Sequence, residues 1–313
     1  MMISRRSFAL AALLLASLPA APRADGAAAP KTVRLLTIGN SFSGNATHYL
    51  GDLAKAAGHT LVHQPMSVGG ASMEVHWTKI QANEKDPKDA AGLYGTKSLS
   101  GVLKTDDWDF VTIQQASIKS HDLETYRPFA AQLQQYVKTH APKAELLLHQ
   151  TWAYRCDDPR FGPKTPKTEP ATREAMYTSL SAAYQTIAKE LGLRRIPVGD
   201  AFHLADSDPK WGYKPDASFD LAKAVAPALP DQTHSLHVGW KWSTDKEGKQ
   251  KLGMDGHHAN TAGEYLGACV WYEVMFKESA VGNSFVPKGL APEDAKVLQE
   301  TAHKAVTAAE SSR

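Results

Sequence analysis

Two short segments of this sequence hold residue types that could pass a proton to and from a hydroxyl. The first is GNSFSGN, residues 39–45, which directly follows the apolar run VRLLTIG, residues 33–39. A serine in a turn at the carboxyl end of a strand is exposed, with the N–H groups of a following helix start close by. Taken alone, the segment suits a helix cap made by Ser41 or Ser43 equally well, because glycine, asparagine and serine are the residues turns use most. The second segment is DGHHAN, residues 255–260, just before a helical pattern that begins near Thr261. Asp255 and His258 are expected in a turn. At that spacing a carboxylate can accept a hydrogen bond from one imidazole nitrogen and leave the other free to take a proton. A serine hydroxyl needs such a base before it becomes a useful nucleophile.

The elements that must bring these segments together are legible as alternating patterns. Short apolar runs at residues 33–39, 60–66, 110–114, 145–149 and 195–198 read as strands. Helical spacing between them covers residues 45–57, 73–82, 123–140 and 172–191. Phe129, Leu133, Tyr136 and Val137 share one face, as do Met176, Leu180, Tyr184, Ile187 and Leu191. Strands alternating with helices predict an α/β protein, a three-layer α/β/α arrangement around a central parallel sheet of about five strands. Right-handed crossovers then put the carboxyl ends of the strands at one edge, where sites form. From residue 204 to 253 the pattern dissolves into a loop insertion carrying Trp211, Trp240, Trp242 and several prolines. Helices are expected again at residues 261–276 and from 292 to about 310.

A strand-terminal GNS near the start of the mature chain and an Asp-x-x-His before a late helix together resemble the first and last blocks of the SGNH (GDSL-like) hydrolases. The GNSFS opening looks like that of an exported bacterial subgroup. The resemblance implies an SGNH/flavodoxin-like fold in a single domain over residues 30–313, and an esterase. It assigns Ser41 as nucleophile, His258 as base and Asp255 as the carboxylate that orients it, with His257 a nearby rival whose spacing fits less well. Family members place a glycine after the second strand, whose N–H joins that of the serine in an oxyanion hole. Here MSVGGASME follows that strand, and the role falls on Gly70, with Gly69 the alternative. The third block departs from the family, because no asparagine follows the third strand in DFVTIQQAS. A glutamine amide, Gln115 first and Gln114 second, is the expected substitute. Asn40, Trp152 and Tyr154 are assigned to substrate binding, the last two from the segment HQTWAYRCDD after the fourth strand.

The remaining features bound the function. The first 29 residues have the layout of an export signal, with a twin-arginine-like SRRSFAL, an apolar stretch too short to span a bilayer and small residues before the mature start. The expectation is a periplasmic or secreted bacterial protein without a stable membrane anchor. Cleavage before residue 30 removes Arg5, Arg6 and Arg23 and brings the 35 basic residues close to the 33 acidic ones, so no nucleic acid is expected as partner. No cofactor and no metal are expected: His76 with Glu74, and His234 with His237, lack zinc-type spacing. Cys156 and Cys269 could pair outside the cytoplasm or stay as thiols. Export and an aromatic loop together point to a small-molecule or glycan ester as substrate, most specifically an O-acetylated carbohydrate, taken up by a monomer. A lipase or thioesterase, a non-catalytic glycan-binding protein on the same scaffold and a metal-dependent phosphoesterase are the alternatives.

Overall fold

A computed structural model describes residues 29–162, 166 and 169–311; the export signal expected over residues 1–29 lies outside them, apart from its last residue. The chain from Lys31 onward forms one compact unit. Five strands, β1 (Thr32–Gly39), β2 (Thr60–Ser67), β3 (Phe110–Ile113), β4 (Glu145–His149) and β5 (Arg194–Ile196), make a wholly parallel sheet in the order β2-β1-β3-β4-β5. The fold is the three-layer α/β/α arrangement. Strands buried on both faces need continuous apolar side chains. Leu35, Leu36, Ile38, Val111, Ile113, Leu147 and Leu148 supply them.

The helices are α1 (Ser41–Thr47), α2 (Leu50–Ala56), α3 (Met73–Lys85), α4 (Leu99–Leu103), α5 (Phe129–His140), α6 (Arg173–Leu191), α7 (Val198–Asp206), α8 (Thr261–Phe276) and α9 (Pro292–Ser311). Helices α1, α2, α7 and α9 pack around α8 on one side of the sheet, and α3 to α6 pack against one another on the other. The α8 helix is apolar on almost every side, because the sheet, α1, α2 and α9 surround it. None of the described helices is long and apolar enough to cross a membrane.

Two of the revisions that the structure makes to the sequence reading bear on the site. The expected helix at 45–57 begins at Ser41 and breaks at His48–Tyr49 into α1 and α2. The loop insertion near 204–253 is not structureless throughout: β6 (His237–Thr244) and β7 (Gln250–Ala259) form an antiparallel hairpin outside the main sheet. Asp255 and His258 therefore lie on a strand and not in a turn. In a regular strand, residues three apart point to opposite faces. Here the single residue of β6 between His237 and Gly239 is matched by three of β7 between Asp255 and Ala259. The extra residues bulge, and the bulge swings Asp255, His257 and His258 together.

Candidate functional site

Ser41 owes its position to the residues on either side of it. β1 ends at Gly39, where a Cβ would stand 2.4 Å from Ser43 Oγ and 2.8 Å from Gln114 Oε1, so only glycine lets the chain turn there. Asn40 then caps α1: its Oδ1 accepts from Phe42 N at 2.9 Å and from Gln114 Nε2 at 2.8 Å, while its Nδ2 donates to Ala71 O at 2.9 Å. Ser41 becomes the first helical residue. It stands at the carboxyl edge beside the gap between β1 and β3, where the strand order reverses direction. Ser43, two residues on, points inward onto Gln114 and His149.

His258 reaches Ser41 from the β7 bulge. Its Nε2 lies 2.9 Å from Ser41 Oγ, and its Nδ1 lies 3.1 Å from Asp255 Oδ2. Asp255 also accepts the His258 backbone N–H at 3.1 Å. Burial pushes the Asp255 carboxyl upward, but the two hydrogen bonds from His258 and the neighbouring imidazoles outweigh it and hold the group at about 2. The carboxylate is thus ionised throughout the neutral range, and its geometry assigns the His258 proton to Nδ1. Nε2 is left as the acceptor facing the hydroxyl.

The segment after β4 holds the bulge in place. Trp152 Nε1 donates to His257 O at 2.9 Å, and Arg155 N donates to Gly256 O at 2.8 Å. Asp158 packs so closely that a Cβ on Gly256 would stand 2.4 Å from its Oδ2. Arg160 grips Asp158 through two bonds, lies 3.7 Å above the Tyr154 ring and places Nη2 3.1 Å from His257 Nδ1.

A cleft of about 220 Å³ opens over Ser41, lined by Asn40, Gly70, Ala116, Ser117, Tyr154 and His258 among others. Gly70 sits at φ +66°, a conformation glycine adopts without strain, and its neighbour Gly69 does not reach the cleft. Among the described residues, the N–H groups of Ser41 and Gly70 have no hydrogen-bond partner. Through Ile118, Tyr154 and Arg160 the cleft meets a second cavity of about 530 Å³, walled also by Phe161 and Met176.

Several expected site residues are placed elsewhere. Gln115 does not face the cleft: its Oε1 accepts from Met73 N and Ala116 N, and its Nε2 is committed to Thr125. Gln114 is likewise used below the site, on Asn40 and Ser43. Trp152 does not line the cleft. It is fully buried between Phe42 and Phe202, with ring centroids 4.4 and 4.5 Å away. Asn40 lines the cleft, but its amide is taken up by the turn it caps. Tyr154 lines both cavities, with its hydroxyl on Ser117 Oγ. His76 is buried against Tyr94, His234 stacks on Trp211, and His237 sits under Ala153 O, so these histidines form no common site. Cys156 and Cys269 are both free. The clamp of Asp158, Arg160 and Gly256 went unread in the sequence; its one available signal was a polar, aromatic segment directly after a strand end.

Sheet order, crevice and the Ser–His–Asp line together define an α/β/α protein with a polar site at the reversal point of a parallel sheet. The chain belongs to the family described as a domain of unknown function, DUF4886, whose model matches residues 34–205. A DUF4886 family protein from Bacteroides uniformis is 26% identical, with a TM-score of 0.66 over 88% of this chain and 95% of that one. A candidate SGNH hydrolase from Slackia heliotrinireducens is 20% identical (TM-score 0.47, 78% of this chain and 99% of that one). A candidate GDSL-like lipase from Parabacteroides merdae is 13% identical (TM-score 0.45, 80% and 99%). No curated protein matches the chain in sequence.

Proposed function

We propose that the protein is a serine-dependent hydrolase of carboxylic esters. The observation that carries this reading is the unbroken line from Ser41 Oγ through the His258 ring to Asp255, at 2.9 and 3.1 Å. His258 Nε2 takes the Ser41 proton as Oγ attacks the ester carbonyl carbon, and Asp255 stabilises the imidazolium that forms. The negative charge that develops on the carbonyl oxygen is met by the N–H groups of Ser41 and Gly70, donors without a partner among the described residues. Collapse of the intermediate sends the proton from Nε2 to the departing alcohol. Water, deprotonated by the same nitrogen, then releases the acid. Asp255, His257 and His258 are close enough to hold a metal ion. However, Lys241 Nζ stands 3.5 Å from Asp255 Oδ2 and Arg160 lies against His257, and two cations at that range oppose a third. This favours the serine mechanism over a metal-dependent phosphoesterase.

The substrate class we propose is an acylated carbohydrate, with O-deacetylation its simplest case and export as its setting. The small cleft at Ser41 suits a short acyl group. The larger cavity beside it offers the aromatic walls of Tyr154 and Phe161 with Arg160, His121 and Glu169 among its polar lining, which suits the faces and hydroxyls of a sugar. Ile118, Phe161 and Met176 in the same wall favour a second reading, an alkyl chain as in a lipase or thioesterase. Fluorophosphonate should label the wild-type protein and not Ser41→Ala, and chelators should leave hydrolysis intact. Absence of labelling would return the scaffold to a glycan-binding role. Acetate release from acetylated glycans, set against hydrolysis of octanoyl esters, decides between the two substrates.

A further inference from the structure

We propose that Arg160 is a positioning residue that fixes the tautomer of His257 and thereby reserves the Asp255 carboxylate for His258. The proposal rests on the serine-hydrolase reading above. Asp255 stands between two imidazoles: Oδ1 is 3.1 Å from His257 Nδ1 and Oδ2 is 3.1 Å from His258 Nδ1. The two rings are 4.1 Å apart. Either could donate its Nδ1–H to the same carboxylate, and a carboxylate shared between them would orient and stabilise His258 less. A proton gained by His257 would also repel the imidazolium that must form on His258.

Arg160 removes that competition. A guanidinium can only donate, so the His257 nitrogen that receives it carries no hydrogen of its own, and the His257 proton resides on Nε2. The guanidinium is held for this task on three sides. Asp158, only 3% exposed, takes Nε at 2.8 Å and Nη2 at 2.6 Å; the Tyr154 ring lies beneath; and Gly256 leaves room for Asp158 to approach β7. The charged and titratable groups facing His257 are Asp255 and His258 on its own strand and Asp158, Arg160 and Tyr154 from the segment after β4; Lys241 of β6 faces Asp255. Burial, the adjacent His258 and Arg160 together hold the His257 imidazole below its ordinary value, against the pull of the two carboxylates. It stays neutral while the site works.

A double-mutant cycle on the full mature chain tests this. Arg160→Ala should lower kcat by about tenfold, the size of one unit of His258 proton affinity, with the acid limb of the kcat profile moved to lower pH. Added to His257→Phe, the same substitution should change kcat less than twofold, because no competitor for Asp255 remains. Equal losses in both backgrounds would overturn the proposal, as would an unmoved acid limb. Asp158 loses its partner in Arg160→Ala, so Arg160→Lys, which keeps a cation without the planar fork, serves as the second variant and should show the same dependence on His257. In the wild type, the nitrogen resonance of His257 Nδ1 should be that of an unprotonated imidazole nitrogen, and a protonated one refutes the assignment without any variant. Fluorophosphonate labelling of wild-type Ser41 separates the two levels: if it labels while the cycle is additive, only the role of Arg160 falls.

Discussion

The serine side and the histidine side of the cleft are built in different ways. Ser41 stands at the end of a central strand, and what orients it lies mostly within a few residues: Gly39 permits the turn and Asn40 caps the helix, with Gln114 just after β3 and Ala71 in the loop before α3 completing the support. His258 lies on a hairpin outside the sheet, and its strand is bent into shape by a segment about a hundred residues earlier, through Trp152, Arg155, Asp158 and Arg160. Position on the serine side is therefore part of the core. On the histidine side it depends on a clamp outside the sheet, and disturbing that clamp is expected to cost activity before it costs the fold.

The largest effect expected is the loss of either end of the line. Ser41→Ala or His258→Ala should each reduce ester hydrolysis by roughly 10⁴-fold or more, and the double variant should be little worse than either alone, because the two act as a unit. Additive losses, read from steady-state kinetics, would break the pairing.

One substitution made on both sides sharpens the contrast. At Gly256, an added methyl collides with Asp158 and displaces the bulge, so Gly256→Ala should lower kcat/KM by about 10²-fold while the melting temperature falls only slightly. At Gly39, the same methyl collides with Ser43 and Gln114 beneath the central strand. Gly39→Ala should lose stability and activity together, with overpacking there costing about 1–3 kcal/mol. Thermal melts and kinetics on both variants decide whether stability and activity separate as described.

Gln115 tests the same division in the opposite sense. As a buried tie between the β3 edge, α3 and Thr125, it should matter to folding and not to the oxyanion. Gln115→Leu leaves Met73 N and Ala116 N unpaired and should cost about 1–3 kcal/mol per group, while kcat of the folded fraction changes little. A fall in kcat of about 10²-fold or more would restore it as an oxyanion donor.

The smallest effect lies farthest from the chemistry. Glu278, beyond α8, binds His59, Lys31 and Tyr272; burial pushes its carboxyl up, but these partners outweigh it and hold it at about 2. A depressed carboxyl contributes stability fully above its unfolded value of about 4.3, and the contribution is lost as pH falls towards about 2. Glu278→Gln should therefore lower the melting temperature at pH 7 by a small amount, with the gap closing below about pH 4 and no change in kcat at neutral pH. A gap that persists at pH 2 would mean that Glu278 acts through packing alone.

Local features could be read directly from the residues. Apolar runs and helical spacing fall where the five strands and the long helices stand, because a strand buried on both faces and an amphipathic helix each write their burial into consecutive residues. The turn at 39–41 was readable for the same reason. What a side chain does once it reaches the edge was decided only by the tertiary structure. Trp152 looked like a sugar platform and is an internal strut, because Phe42 and Phe202 close on both of its faces. Gln115 looked like a free amide, but Thr125 and two backbone N–H groups consume it. Asp255 and His258 read as a turn but lie on a bulged strand, since the bulge is imposed by residues 152–160. Hydrogen-bond partners distant in the chain leave no periodicity behind, and those partners set the histidine side of this site.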